Sequence, residues 1–191
     1  MSDRTYVVTG PDTVFSYLNV LEPKAPSAGG EAKYKACLII PKSDKTTLKK
    51  IREAIRIAYE EGEAKLRGNG NSVPPLDEIF NPLHDGDEEK SGDPAFRNAY
   101  FINASNKQQP QLYDRNLNKI TDPRELYSGI IGRAGITFYA FNKGVKSRGI
   151  TCGLEGIKKL KDGTPLGGMS IVRDSFEGLD DEDDGDEDFL G

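Results

Sequence analysis

The segment from Arg133 to Lys143 alternates in polarity with the two-residue period of a β-strand, and this pattern constrains the fold more than any other in the chain. One face carries small and apolar side chains that suit a core, namely Ala134, Ile136, Phe138 and Ala140. The opposite face carries two rings among polar and cationic groups, namely Arg133, Thr137, Tyr139, Phe141 and Lys143. The segment is therefore predicted to form a strand with one face on a core.

Strands are also predicted in further segments, at 5–9, 14–21, 33–40, 97–104 and 149–160, with a hairpin at 112–120. In 33–40, Lys33 and Lys35 are expected to face outward from a half-buried strand. A single long helix is predicted over 44–66, where Ser43 is the expected N-cap and apolar residues recur at three- and four-residue spacing. Residues 68–94 are expected to form a long loop. The expected fold class is mainly β with one long helix.

The last eighteen residues, 174–191, contain ten carboxylates and no cation, so they cannot bury enough apolar surface to fold alone. The chain is expected to comprise a folded domain over 1–173 and a disordered acidic tail over 174–191. The net charge of the whole chain is −5, but without the tail it is about +5. Residues 97–173 hold thirteen bases and five acids. A basic body of this kind is typical of a protein that binds a polyanion.

The outward face of 133–143 has the composition of a platform for single-stranded nucleic acid, on which rings stack against bases and cations contact phosphates. The main candidates are Arg133, Tyr139, Phe141 and Lys143. Similar mixtures on other β segments give the secondary candidates Lys33, Lys35, Arg97, Phe101, Tyr113 and Arg115. The choice between Phe101 and Tyr100 is open, because the pattern of 97–104 leaves its outward face undetermined. A strand buried on both faces is the alternative for 133–143.

Catalytic and metal-binding residues are not predicted. His84 is the single histidine and lies in a polar loop, and no Cys-x-x-Cys pair is present. Cys37 and Cys152 lie in apolar segments and are expected to be reduced core thiols, as in a cytosolic protein. No apolar run has the length of a membrane span, and no signal peptide is predicted. The protein is thus expected to act without catalysis, cofactor or metal, in a cytoplasm.

The tail carries a charge opposite to that of the predicted binding face and ends near the apolar pair Phe189-Leu190. It is expected to compete with DNA for the basic face and to recruit partner proteins once DNA displaces it. The candidate partner-binding residues are Asp183, Asp184, Asp186, Glu187, Asp188 and Phe189. Two alternatives stay open: an acidic-tailed interaction module or assembly chaperone for basic partners, and a metal-dependent nuclease that uses the carboxylates of 85–89.

Nine segments together resemble, in order, a family of phage single-stranded DNA-binding proteins that was long grouped as a domain of unknown function. These segments are Tyr17–Pro23, Leu38–Ser43, Pro82–Asp87, Tyr100–Ser105, Asp114–Asn116, Tyr127–Gly129, Arg133 with Phe138–Tyr139, Cys152–Leu154 and Gly163–Gly168. The resemblance is collinear over roughly residues 5–170, and it is therefore more specific than any one motif.

The resemblance implies an OB-type (oligonucleotide-binding) β-barrel of five strands with insertions. It also implies that the protein coats single-stranded DNA without strong sequence preference, during phage DNA replication, recombination or repair in the host cytoplasm. Replication or recombination enzymes are the implied partners of the acidic tail. Weaker binding to double-stranded DNA and a homodimer or filament on DNA are compatible with the pattern. In many such tails the aromatic residue is the last one, whereas here Leu190 and Gly191 follow Phe189.

Overall fold

The computed structural model describes residues 3–166. Its strands are β1 (Tyr6–Val8), β2 (Thr13–Lys24), β3 (Lys33–Pro41), β4 (His84–Asp85), β5 (Ala99–Asn106), β6 (Gln111–Tyr113), β7 (Ile131–Asn142) and β8 (Arg148–Lys161). Its α-helices are α1 (Lys45–Glu61), α2 (Glu63–Arg67) and α3 (Gly86–Glu89). The acidic tail, and with it every candidate partner-binding residue from Asp183 to Phe189, lies outside the described residues.

Five of the strands close into a barrel in the order β2–β3–β5–β8–β7, and β7 pairs with β2 to complete the ring. The pairing of β5 with β8 is parallel, and the other pairs in the ring are antiparallel. The pairing of β5 with β8 is short and has Ser105 opposite Gly153 as its register pair. A five-stranded, partly open barrel is the architecture of the OB-fold, so the predicted fold class is confirmed. Short strands extend this sheet: β1 beside β7, β6 beside β8 and β4 beside β5.

The predicted alternation of 133–143 is present in β7. Ala134, Ile136 and Phe138 are buried in the barrel core, and Tyr139 on the opposite face is 41% exposed. Thr137 was predicted to face solvent, but it is buried between the neighbouring strands β1 and β8, opposite Tyr6 and Gly153. The alternative of a strand buried on both faces is therefore correct only for the middle of β7.

The predicted helix 44–66 is two helices, and its N-cap is Asp44 rather than Ser43. A carboxylate oxygen of Asp44 accepts a hydrogen bond from the Thr47 amide, which satisfies a backbone donor of the first turn. Helix α1 ends at Glu61, and its C-cap is Gly62, where the chain passes very close to β7. A Cβ at Gly62 would lie 2.3 Å from the Cβ of Ala140. The apolar face of α1 packs into the core, with Leu48, Ile51 and Ile55 fully or almost fully buried.

The segment predicted as the loop 68–94 folds back over part of β3 and β5. Phe96, just beyond it, is buried and packs edge-on against Phe101, with ring centroids 5.2 Å apart. Asp85 and Asp87 both bind the ammonium of Lys42 at 2.8 Å. Their hydrogen bonds to Lys42 lower the pKa of both carboxyl groups. The carboxylates of this segment therefore hold the insertion to the end of β3.

The prediction that β3 is half-buried is wrong for part of the strand, because this insertion covers part of its outer face. Cys37 and Ile39 face away from the barrel interior, yet both are buried in a small second core with Phe96, Ala99 and Phe101. Cys37 and Cys152 are free thiols, as predicted. Burial raises the pKa of both thiols to about 12. None of the helices within residues 3–166 is long and apolar enough to cross a membrane.

Candidate nucleic-acid interface

A groove of about 750 Å³ runs over the outer face of β3 and β5 at the end that the insertion leaves open. Cys37, Asn103 and Ser105 form its floor. The connection between β2 and β3 (residues 25–32) forms one wall, and Lys143 in the β7–β8 turn contributes to another. We call this surface the β3–β5 groove. In OB-folds the same face and the corresponding two loops bind oligonucleotides.

Lysines dominate the charge of the β3–β5 groove. The structure brings together three of the predicted cations, Lys33, Lys35 and Lys143, and adds Lys107 from the turn after β5. Among the described residues that line the groove, Glu31 is the single carboxylate, and it binds Lys107 at 2.8 Å. The hydrogen bond that Lys107 donates to Glu31 raises the pKa of Lys107. A negatively charged ligand in the groove would meet Lys33, Lys35 and Lys143 directly and would compete with Glu31 for Lys107.

Tyr17 lines the same groove and was missed by the sequence analysis. Its side chain is 63% exposed, although the residue lies inside β2. The backbone explains this exposure: Tyr17 has φ 47°, and the pairing of β2 with β3 shifts register between Ser16 and Asn19. The Ser128 hydroxyl accepts a hydrogen bond from the Leu18 amide beside this bulge. A bulge re-aims a side chain in this way, and no residue pattern marked its position.

Tyr139, the predicted stacking residue of β7, lies at the edge of the groove. A Cβ at Gly153 would lie 3.8 Å from Cε1 of Tyr139 and 3.8 Å from the carbonyl oxygen of Ser105, which lines the groove. Because Gly153 has no side chain, it does not obstruct the surface between the Tyr139 ring and the groove floor. Partial burial of the ring raises the pKa of the Tyr139 hydroxyl, and the nearby charge of Lys107 opposes that shift.

Phe141, the second predicted ring of β7, is half-buried rather than free. Its ring packs against Phe80, with centroids 6.1 Å apart. Phe80 pairs with Gly149 and is itself 47% exposed. The sequence analysis missed Phe80, which sits in a segment without β alternation. Of the two rings, Phe80 is the more exposed.

Two secondary candidates do not line the groove: Phe101 is buried, which corrects its choice as a stacking ring, and Arg97 lies at the other end of β5. Phe101 shares the outward face of β5 with Asn103 and Ser105, but Phe96 and His84 cover its ring and leave it 5% exposed. Arg97 precedes β5, at the end opposite Ser105, and lies near Asp87, whose pKa is lowered first by the hydrogen bond from Lys42 and further by the charge of Arg97. The Phe101 ring has no free face for a base, and Arg97 lies near Asp87 and away from the lysines of the groove.

Arg133 and Tyr113 line a separate, smaller cavity of about 340 Å³ on the outer face of β7 and β8. The Arg133 guanidinium donates a hydrogen bond to the carbonyl oxygen of Thr9 at 3.1 Å. Arg115 is exposed in the turn that follows Tyr113. The sequence analysis placed Arg133 and Lys143 on the same face of one strand. Because they lie toward opposite ends of β7, Arg133 lines the smaller cavity and Lys143 lines the β3–β5 groove.

The histidine and the acidic residues take part in local contacts. His84 Nδ1 lies 3.0 Å from a carboxylate oxygen of Glu89, and its ring stacks on Phe101 at 5.0 Å. Over the described part of the chain, no group of three or more His, Cys, Asp or Glu side chains is arranged to hold a metal ion.

Comparison with known proteins gives a consistent result. The family model for the Enterobacter phage Enc34 ssDNA-binding protein matches residues 5–190. The chain is 31% identical over 170 residues to protein p50 of the Acyrthosiphon pisum secondary endosymbiont phage 1. The aligned residues cover 87% of this chain and 88% of p50.

Two solved structures share the fold. The single-stranded DNA-binding protein from bacteriophage Enc34, solved in complex with ssDNA, superposes with a TM-score of 0.70 at 22% identity, over 85% of this chain and 90% of that one. The gp2.5 single-stranded DNA-binding protein of bacteriophage T7 superposes with a TM-score of 0.56 at 15% identity, over 93% and 96% of the two chains.

Proposed function

Because the chain belongs to the family of the Enterobacter phage Enc34 ssDNA-binding protein, we propose that it binds single-stranded DNA in the β3–β5 groove. The binding depends little on base sequence and involves no catalysis. The observation that carries this proposal is the convergence of lysines from separate elements, with Tyr17 and Tyr139, on one open face of the barrel. Such a combination of cations and rings is how sequence-tolerant single-strand sites are built.

The lysines provide the electrostatic part of the affinity. Each cation that neutralises a phosphate releases a counterion, so the logarithm of the binding constant falls with the logarithm of salt by roughly 0.7 per contact on single strands. Lys33 and Lys35 lie on β3, and Lys143 lies on the facing turn. Cations on both sides of the groove favour a strand that runs between them. Lys107 joins them when a phosphate replaces Glu31 as its partner.

The rings provide the part of the affinity that does not depend on salt. Tyr17 and Tyr139 are 63% and 41% exposed, so each has surface available to a base. Stacking of one base on one ring contributes about 1–3 kcal/mol and tolerates any base. Phe80 with Phe141 adds a further apolar surface beside the β7–β8 turn. This division between lysines and rings explains why the protein would coat DNA regardless of its sequence.

The acidic tail is proposed to occupy the groove when DNA is absent, and to bind replication or recombination proteins when DNA displaces it. Residue 166, where the described chain ends, is tied to the barrel by a hydrogen bond from the Leu166 amide to the Ser128 carbonyl. A segment of 25 residues spans at most roughly 85 Å, which is ample for reaching the groove. The ten carboxylates of 174–191 would then meet the groove lysines. The residues proposed to contact partner proteins are those from Asp183 to Phe189.

A titration of labelled oligo-dT tests the function, with and without Mg²⁺ and at two salt concentrations. The proposal expects saturable binding that weakens with salt and leaves the strand intact when Mg²⁺ is present. No binding to the oligonucleotide, together with tail-dependent binding to basic proteins, would favour the interaction module. Shortening of the strand that depends on Mg²⁺ would favour a nuclease.

Deletion of residues 174–191 tests the role of the tail. Removing the competitor is expected to tighten binding, and most strongly at low salt, where the tail and the groove attract each other most. The plot of log K against log salt should therefore become steeper. Identical affinities of the full and truncated chains at low salt would rule out competition for the groove.

A further inference from the structure

The smaller cavity on the outer face of β7 and β8 has the features of a built ligand site. Its floor contains the register pair Arg133 and Lys158, so two cations stand side by side. Tyr6 of β1 and Tyr113 of β6 line it as well. Since β1 flanks β7 and β6 flanks β8, the two rings rise from opposite edges of the floor. We call this surface the Tyr6–Tyr113 cavity.

Glycines form part of the floor of this cavity. Gly135 and Gly156 face each other across β7 and β8, and both line the cavity. A Cβ at Gly135 would lie 2.3 Å from the hydroxyl oxygen of Tyr6, so the Tyr6 side chain lies directly over the backbone there. Tyr6 is nevertheless 47% exposed. The glycine therefore lets an aromatic side chain lie low across the sheet while part of its surface remains open.

The chemistry of the cavity fits a nucleotide. The guanidinium of Arg133 is oriented by its hydrogen bond to the Thr9 carbonyl at 3.1 Å. Among the described residues that line the cavity, Glu155 is the one carboxylate against these two cations. A volume of about 340 Å³ is at the lower end of the range for small-molecule sites, which suits a single nucleotide. The exposed side chains of Val8 and Leu117 add apolar surface at the rim.

The cavity lies beside the β3–β5 groove, with Gly153 and the Tyr139 ring between the two surfaces. Gly153 pairs with Ser105 of the groove, and Glu155 of the cavity follows two residues later on β8. A Cβ at Gly153 would lie 3.3 Å from a carboxylate oxygen of Glu155 and 3.8 Å from the Tyr139 ring. A strand that leaves the groove over Ser105 therefore passes Tyr139 before it reaches the cavity.

We propose that the Tyr6–Tyr113 cavity is a second subsite, which holds one nucleotide of the strand that the β3–β5 groove binds. The base stacks on Tyr6, the more exposed of the two rings, and Arg133 and Lys158 contact its phosphate. This subsite rests on the proposed function, because it extends the path of the same DNA strand. It predicts that affinity rises in a step once the oligonucleotide is long enough to pass Tyr139.

The test is an anisotropy titration of the full chain with labelled oligo-dT of increasing length, from about 4 to about 16 nucleotides, the range of OB-fold site sizes. Tyr6→Ala and Lys158→Ala are compared with Lys35→Ala in the groove. Both cavity variants should leave the affinity for the shortest bound oligonucleotide unchanged. For long oligonucleotides Tyr6→Ala should weaken binding by about 5- to 150-fold, the loss of one stacked base. Tyr6→Phe should behave like the wild type.

The outcomes separate this inference from the proposed function. Loss of affinity in Lys35→Ala at every length, without any length-dependent loss in the cavity variants, would overturn the subsite and keep the groove. Equal loss at all lengths in Tyr6→Ala would also overturn it, because that pattern reports damage to the barrel. A wild-type chain that binds no oligonucleotide of any length would refute the proposed function itself.

Discussion

The outer surface of β3 and β5 is covered at one end and open at the other, although the same alternation of inward and outward side chains runs through both ends. Ile39 pairs with Phe101 at one end and Lys35 pairs with Ser105 at the other, with Cys37 and Asn103 between them. At the first end Phe96 and His84 cover the strands, and at the second end the strands form the floor of the β3–β5 groove. The comparison shows that an outward-facing residue is accessible to a ligand only where no insertion covers it.

The largest expected effect tests the covered end. Phe101→Ala should lower the free energy of unfolding by about 3–5 kcal/mol, since it removes a buried ring that contacts Phe96 and His84. Binding of oligo-dT by the folded variant should be unchanged. Urea denaturation and anisotropy on the same preparation measure the two quantities. A stable variant with weakened DNA binding would mean that Phe101 belongs to the interface after all.

The next effect tests a ring at the open end. Tyr139→Ala should weaken binding of oligo-dT by about 1–3 kcal/mol, the value of one stacked base. Because the ring is 41% exposed, the free energy of unfolding should change much less than in Phe101→Ala. Tyr139→Phe keeps the ring and serves as the matched control. If Tyr139→Ala instead lowered the free energy of unfolding and left the affinity for oligo-dT unchanged, Tyr139 would not belong to the site.

A smaller effect sharpens the electrostatics of the groove. Glu31→Gln removes the carboxylate that binds Lys107 and frees the lysine for phosphate. Since the pair is solvent-exposed, binding of oligo-dT should tighten by only about 2- to 5-fold. The pKa of Lys107, which Glu31 raises, should fall toward its usual value. Weaker binding in this variant would show that Glu31 helps to shape the groove and does not compete with DNA.

The alternation of β7 predicted its core face because local polarity and burial agree at Ala134, Ile136 and Phe138. The alternation also puts Phe101 on the outward face of its strand, as the sequence analysis chose. Its burial depends on Phe96 and His84, which reach it by folding of the insertion. Contacts of that kind depend on tertiary packing and leave no periodic signal in either segment.

Tyr17 shows the same limit at the open end of the groove. Its positive φ coincides with the register shift between β2 and β3 and with the hydrogen bond that the Leu18 amide donates to the Ser128 hydroxyl. Residues other than glycine adopt this conformation when surrounding structure compensates for its cost. The glycine between the two helices is likewise explained by tertiary packing, because the close approach of Ala140 leaves no room for a side chain at Gly62. The pattern of positive charge predicted part of the groove correctly. Lys33, Lys35 and Lys143 were candidates from the sequence, and all three line the β3–β5 groove.

The salt dependence of oligo-dT binding by Lys33→Ala–Lys35→Ala tests the central claim that the open end binds single-stranded DNA. Loss of two phosphate contacts should flatten the slope of log K against log salt by about 1.4. A charge-matched control, Lys45→Ala–Lys49→Ala, removes two exposed lysines from α1 and should leave the slope unchanged. An unchanged slope in the groove variant, or the same flattening in both variants, would contradict the assignment of the β3–β5 groove as the DNA-binding site.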